Sequence, residues 1–143
     1  MPEEIVIASD HAGYDLKEII KKYLIENNFK IKDLGCNSHD SVNYPDYAHQ
    51  VARELLANHS RGILICGSGI GMSITANRHK GIRAALCTSI EYAKLSRQHN
   101  DANVLVMGAR FTDPKLAREI LGVWLKTAFE GGRHQQRVDL IEG

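Results

Sequence analysis

Five short apolar runs, each followed by a segment of helical periodicity, constrain the fold of this chain more than any other feature. The first run, residues 5–9, precedes apolar side chains at Leu16, Ile20 and Leu24, which recur every three or four positions. The predicted strands cover 5–9, 30–34, 62–66, 82–87 and 103–107, and the predicted helices cover 16–24, 45–57, 70–78, 90–98 and 114–129. Strands rich in Ile, Val and Leu that alternate with helices predict a doubly wound α/β fold with a parallel sheet.

The order of the strands predicts where a ligand would bind. The commonest order for five such strands, 2-1-3-4-5, reverses direction between strands 1 and 3, and ligands bind beyond the carboxyl ends at such a reversal. The residues there are Asp10-His11 and Cys66-Gly67-Ser68-Gly69-Ile70-Gly71. No linker interrupts the series, so we predict a single domain over 1–143, with a C-terminal tail from Glu130 onward that lacks a clear period.

Charge and cysteine content argue against several classes of protein. The 18 basic and 17 acidic residues nearly cancel, which argues against non-specific binding to nucleic acid or membranes. Three widely spaced cysteines in a chain of 143 residues indicate reduced thiols rather than a disulfide framework. The N-terminal residues do not resemble a secretion signal, and no apolar run approaches the roughly 20 residues that span a bilayer. We therefore expect a cytoplasmic protein.

The loop after the third predicted strand combines a thiol with a glycine-rich turn. Such a loop can direct backbone N–H groups at an anion, although Met72 excludes the dinucleotide fingerprint and no P-loop Gly-Lys-Ser/Thr follows. Cys66, directly before it, is in a setting that favours a reactive thiolate. The alternatives are a tight turn and a buried structural cysteine. The position at a strand's carboxyl end favours function for Cys66, whereas Cys36 and Cys87 have no such setting.

Other polar residues are candidates with structural alternatives. His99 ends the fourth helix, which we place on the carboxyl side of the sheet, and could act as an acid or base. It could equally cap that helix or be solvated. Asp10 and His11 could cap the first helix, with Asp10 as N-cap. Arg133 and Arg137 could hold a phosphate or form a solvated basic tail. We expect no metal site, because the histidines are dispersed without a carboxylate at ligand spacing.

Five motifs in order resemble those of the ribose-5-phosphate isomerase type B family, which includes galactose- and allose-6-phosphate isomerases. They are Ser9-Asp10-His11-Ala12-Gly13, Tyr44-Pro45-Asp46-Tyr47-Ala48, Ile65-Cys66-Gly67-Ser68-Gly69-Ile70-Gly71, Ser96-Arg97-Gln98-His99-Asn100-Asp101-Ala102-Asn103 and Gly131-Gly132-Arg133-His134-Gln135-Gln136-Arg137. The match spans nearly the whole chain. The resemblance implies a Rossmann-like fold, no metal or cofactor, and a homodimer, or a tetramer of two dimers, with sites between subunits.

The resemblance also implies a role for each candidate residue. Cys66 takes the proton from the carbon beside the carbonyl, and the amides of residues 67–71 hold the resulting enediolate. His99 opens the furanose ring with help from Asp10, and Ser68 contacts the reacting oxygens. The remaining ligands are His11, Arg133 and Arg137 for the phosphate, and Tyr44, Asn100 and Arg110 for the sugar.

One branch of that family uses a glutamate base in the helix after the glycine loop, and Thr75 occupies the position that we expect to correspond. Because a threonine cannot serve as that base, the resemblance leaves the role to Cys66, without a covalent intermediate. The predicted reaction is the interconversion of ribose 5-phosphate and ribulose 5-phosphate in the pentose phosphate pathway. The alternatives are a six-carbon phosphosugar isomerase, which needs a deeper pocket, and a non-catalytic phosphosugar-binding domain.

Overall fold

The computed structural model describes residues 2–143 and contains every strand and helix predicted above. Each bound lies within three residues of its predicted position. The strands are β1 (Glu4–Ser9), β2 (Lys30–Asp33), β3 (Arg61–Cys66), β4 (Ala84–Leu86) and β5 (Val104–Gly108). The helices are α1 (Tyr14–Glu26), α2 (Tyr44–Asn58), α3 (Ile70–Ala76), α4 (Ile90–Asn100), α5 (Pro114–Lys126) and α6 (Arg133–Asp139).

The sheet is parallel throughout, but its order is β2-β1-β3-β5-β4, so the predicted order 2-1-3-4-5 is wrong for the last two strands. The five residues of β5 are all buried, whereas β4 has only three residues and all are partly exposed. A fully buried apolar strand is stabilised by a neighbour on each side, and a short, partly exposed strand suits the edge. The reversal between β1 and β3 is unaffected by this exchange.

Helices cover both faces of the sheet, and the direction of each crossover decides which face. The chain moves one way across the sheet through α1 and α4, and the other way through α2 and α3. Right-handed crossovers therefore place α1 and α4 on one face and α2 and α3 on the other. The two buried clusters agree: one joins α1, α4 and α5 around Trp124, and the other joins α2 and α3 to the opposite face.

The segment predicted as an aperiodic tail contains the short helix α6, which packs against α4. Its buried side chains, His134 and Val138, are one turn apart. A helix with only two buried positions is too short to show a period in the sequence. Within residues 2–143, no helix is long and apolar enough to cross a membrane.

Candidate active site

An open cleft of about 490 Å³ lies where the sequence predicted a site, beyond the carboxyl ends of β1 and β3. We call it the carboxyl-edge cleft. Its lining residues are Asp10, His11, Ala12, Tyr44, Cys66, Gly67, Ser68, Ile70, Gly71, Ile74 and Arg110. Gly69, also predicted to contribute, is buried within the same loop. The reversal thus brings together segments that are far apart in the sequence.

Cys66 is the last residue of β3, and its sulfur accepts a hydrogen bond. The amide of Gly69 donates to Sγ at 3.2 Å, because the loop turns back at Gly69, whose φ of +81° suits glycine. A donor aimed at the sulfur stabilises negative charge on it. The other two cysteines differ. Cys36 Sγ donates to the Ser38 carbonyl at 3.4 Å, and burial raises the pKa of Cys87 to about 11.

The rest of the loop is held by its own contacts. Ser68 Oγ accepts from the Ile70 amide at 3.2 Å, which leaves the hydroxyl hydrogen free to donate. Tyr44 packs directly on Gly71, where an added Cβ would lie 2.4 Å from the tyrosine ring. Thr75 Oγ1 donates to the Gly71 carbonyl at 2.8 Å, so this hydroxyl is bound to its own helix.

Asp10 and His11 are fixed at the end of β1. Asp10 is 7% exposed, and its Oδ1 accepts from the Gly13 amide at 3.0 Å. The N-cap of α1 is Gly13 rather than Asp10, so the capping alternative is wrong in its position, although the carboxylate does bind a backbone amide. His11 Nδ1 accepts from the Val42 amide at 3.1 Å. In the neutral ring Nε2 therefore carries the proton and can donate to an anion.

Arg110 reaches the cleft because β5, rather than β4, is the neighbour of β3. The amides of Ala109 and Arg110 donate to the carbonyls of Cys66 and Gly67 at 2.8 and 3.0 Å. The guanidinium then lies over Gly67, where an added Cβ would be 2.9 Å from Nη1. In the predicted strand order, β4 would separate Arg110 from this loop.

The remaining predicted residues lie at the opposite end of the strands, beyond their amino termini, which we call the amino edge. We call His99, Asn100, Arg133 and Arg137 the α4–α6 group. Helix α4 runs back towards the amino edge. Its last residue, Asn100, accepts through its carbonyl a hydrogen bond of 3.0 Å from Nε of Arg83, the residue before β4. Placing His99 on the carboxyl side is therefore wrong. A five-residue strand, about 17 Å long, separates the two edges. Both arginines of the group are exposed, one helical turn apart.

A group of ligating side chains that the sequence reasoning missed surrounds His99. Within residues 2–143, atoms of His99, Glu130 and His134 that could bind a metal all lie within 4.8 Å of one another. The expectation of no carboxylate at ligand spacing is thus wrong for Glu130, four residues before His134. The imidazole rings of His99 and His134 stack at 4.3 Å and 13°. The lone pairs of the imidazole nitrogens lie in the ring planes. An ion between the two stacked rings would lie outside both planes and could not bind them.

A larger groove of about 710 Å³ lies between α1, α4 and α5, on the face away from Cys66. Its lining residues are Tyr23, Ile90, Lys94, Lys115, Arg118, Glu119, Gly122, Val123, Lys126 and Thr127. This lining offers no thiol or histidine for proton transfer near neutral pH. The smaller carboxyl-edge cleft therefore remains the candidate active site.

Comparison with known proteins places this arrangement in a family. The family model described as Ribose/Galactose Isomerase matches residues 5–141. The chain belongs to the ribose/galactose isomerase family. It is 46% identical to ribose-5-phosphate isomerase B of Escherichia coli, with 97% of this chain and 94% of that protein covered. A putative sugar phosphate isomerase of Bacillus subtilis is 50% identical, with coverage of 96% and 94%.

A solved structure supports the same relationship. Ribose-5-phosphate isomerase B of Mycoplasma genitalium, solved with bound ribulose 5-phosphate, superposes with a TM-score of 0.95 at 46% identity, covering 99% of this chain and 95% of that one. An isomerase of the ribose/galactose family moves a proton between adjacent carbons, which requires a base and donors for an oxyanion. The carboxyl-edge cleft contains a thiol and a glycine-rich loop suited to these tasks.

Proposed function

We propose that the chain interconverts ribose 5-phosphate and ribulose 5-phosphate, with Cys66 as the base. The observation that carries this proposal is the Gly69 amide aimed at Cys66 Sγ at the edge of an open cleft. The bound ribulose 5-phosphate in the Mycoplasma genitalium relative supports the choice of substrate. Three free cysteines suit a reducing compartment, so we place this activity in the cytoplasm, as a step of the pentose phosphate pathway.

In the isomerisation step, the Cys66 thiolate removes the proton from C2 of the open-chain aldose. The electron pair forms the C1=C2 bond, and the oxygen on C1 takes the negative charge. Ser68 and the amides of residues 67–71 stabilise this enediolate. A proton then moves from the oxygen on C2 to the oxygen on C1, and the Cys66 thiol returns its proton to C1. The ketose leaves and the thiolate is regenerated, without a covalent intermediate.

An earlier step must open the furanose ring, because only the open chain has a carbonyl. Asp10 takes the proton of the hydroxyl on C1, the bond from C1 to the ring oxygen breaks, and His99 gives a proton to that oxygen. Asp10 is well placed for this, since it is buried beside Cys66 with one oxygen held by the Gly13 amide.

The separation of the two groups of residues supports a shared site. One chain cannot place both Cys66 and His99 on one substrate, because they lie at opposite edges of the sheet. We propose a homodimer in which the carboxyl-edge cleft of each copy faces the α4–α6 group of the other. Arg133 and Arg137 of that copy, together with His11 of the cleft, then bind the phosphate. Tyr44, Arg110 and the other copy's Asn100 bind the sugar.

A coupled isomerase assay on the Cys66→Ala protein tests this function. We expect activity on ribose 5-phosphate in the presence of EDTA, and a loss of roughly 100- to 10,000-fold in the variant, typical of a general base. Cys87→Ala is the matched control, because its thiol lies outside the cleft, and it should retain kcat/KM. Turnover that survives in Cys66→Ala would remove Cys66 as the base.

The same assay separates the alternatives. Relative kcat/KM on ribose, allose and galactose phosphates distinguishes a five-carbon from a six-carbon isomerase. Tight binding of ribose 5-phosphate without turnover would favour a non-catalytic binding domain.

A further inference from the structure

We propose that His134, held by Glu130, is a positioning residue that fixes the imidazole of His99 for furanose ring opening. The inference rests on the proposed role of His99. It assigns a role to two side chains that have none in the mechanism above.

The contact between the two rings is the first observation. His134 is 7% exposed, and its ring stacks on that of His99 at a centroid distance of 4.3 Å and an angle of 13°. The stacking contact orients the plane of the His99 ring, which makes no hydrogen bond to another side chain of the described residues. Donation to the ring oxygen of a sugar requires that plane to be set, because the proton lies in it.

Glu130 fixes His134 in turn. Its Oε1 lies 3.4 Å from His134 Nε2, and its amide donates to the Gln98 carbonyl at 3.1 Å. Gln98 immediately precedes His99 in the last turn of α4. Glu130 thus joins the backbone beside His99 to the ring that stacks on His99. Val138 packs the next turn of α6, and the Glu130 contact gives His134 a side-chain partner as well.

The stacked geometry favours positioning over metal binding at these residues. A metal ion bonded to both rings would need each ring to turn until a nitrogen lone pair pointed at it. Parallel rings at 4.3 Å instead present their faces to each other. A ring held face to face keeps its edge, with both nitrogens, available to a substrate.

The two directions of the reaction isolate the ring-opening step. Ribose 5-phosphate is mostly a furanose and must be opened, whereas ribulose 5-phosphate cannot close such a ring because its C5 oxygen is phosphorylated. We expect His134→Ala to lower kcat for ribose 5-phosphate on the order of 10- to 100-fold, typical of a misplaced acid, because most of the bound furanose is then unproductive. Turnover of ribulose 5-phosphate should fall less than about two-fold, because the released aldose closes unaided.

A second readout distinguishes a loss of ring opening in His134→Ala from a folding defect. If the enzyme no longer opens the ring, the forward rate at high enzyme concentration should reach a plateau set by spontaneous opening. A partly folded enzyme would lower both directions equally, and its rate would stay proportional to enzyme concentration.

Four further variants complete the test. Glu130→Gln, at an exposed side chain, should show a weaker form of the same asymmetry, and His134→Phe should recover part of the forward rate because it keeps a ring to stack on His99. Gln136→Ala, exposed on the same helix, should behave as wild type. Equal losses in both directions for well-folded His134→Ala, or no loss, would overturn the proposal. His99→Ala, assayed alongside, should show the largest difference between the loss on ribose 5-phosphate and the loss on ribulose 5-phosphate. If His99→Ala shows no such difference, the role of His99 in the proposed function is contradicted.

Discussion

At the scale of single residues, hydrogen-bonding direction separates three cysteines that look alike by composition. All three are free and buried. The Cys66 sulfur accepts from an amide, whereas the Cys36 and Cys87 sulfurs each donate to a carbonyl. The sequence supported this distinction only through the position of Cys66 at a strand end before glycines. It could not show which amide turns towards the sulfur, because that depends on the loop backbone.

Cys87 should be the least reactive of these thiols in the native protein. Burial raises its pKa to about 11, against the lowering effect of a hydrogen bond with Ser96, so it stays protonated at neutral pH. We expect iodoacetamide at pH 8 to modify Cys66 well before Cys87, and ribulose 5-phosphate to protect Cys66. Peptide mass spectrometry after timed quenching measures both rates. In urea the two should react alike; modification of native Cys87 at the rate of Cys66 would contradict the prediction.

At the scale of elements, the strands, the helices and the reversal between β1 and β3 could be predicted from periodicity. The exchange of β4 and β5 could not, because it depends on which strand is better buried between two neighbours. The edge occupied by His99 was mispredicted for a different reason. A helix after a parallel strand runs back to the amino edge, so its last turn lies far from the strand ends that form a site. This rule was available from the sequence.

The edge strand β2 is tied to α1 by an ion pair that should matter for stability. Lys17 Nζ is fully buried, 2.6 Å from Asp33 Oδ2, and Lys21 Nζ lies 2.8 Å from the same atom. Burial by itself would raise the pKa of Asp33, but the hydrogen bonds from both lysines outweigh it and lower this pKa. Removing the carboxylate would leave a buried ammonium without its closest partner.

We therefore expect Asp33→Asn to lower the free energy of unfolding by about 2 kcal/mol at pH 7. This is less than the loss usual for breaking a buried ion pair, because Asp33 is partly exposed. A lowered folded-state pKa contributes stability above the ordinary value of 3.8, and this contribution is lost as the pH falls through the folded value. Urea unfolding at a series of pH values should show that the difference in unfolding free energy between the variant and wild type shrinks as the pH falls below 3.8. Glu54→Gln, at the exposed pair with Lys32, is the control and should cost much less. A difference that persists unchanged into acid would contradict the ionic explanation.

At the scale of the whole molecule, the sheet keeps the two halves of the proposed site apart. Cys66 and the glycine loop occupy one edge, and His99 with the two arginines of α6 occupies the other. The fold thus explains why a segment outside the five strand–helix units contains predicted ligands. In the proposed homodimer, these residues serve a neighbouring copy rather than their own cleft.

Heterodimers test this arrangement directly. When Cys66→Ala and His99→Ala chains carry different tags and are purified as a mixed dimer, one of the two sites contains both wild-type residues if sites are shared between copies. We expect about half the wild-type activity per dimer on ribose 5-phosphate, although each homodimer is nearly inactive. If both residues acted within one chain, this mixed dimer would have no complete site and would stay inactive.

A second mixed dimer, in which one chain carries both substitutions, is the control, and its expected activity is the opposite of the first dimer's. A chain with both substitutions, paired with a wild-type chain, leaves each shared site without either Cys66 or His99. It should therefore be nearly inactive, whereas a site within one chain would retain half the activity in the wild-type copy. Because the two dimers contain the same total set of residues, differing only in which chain carries each substitution, a general loss of stability cannot produce the pattern. Activity in the second dimer and not in the first would show that each copy completes its own site.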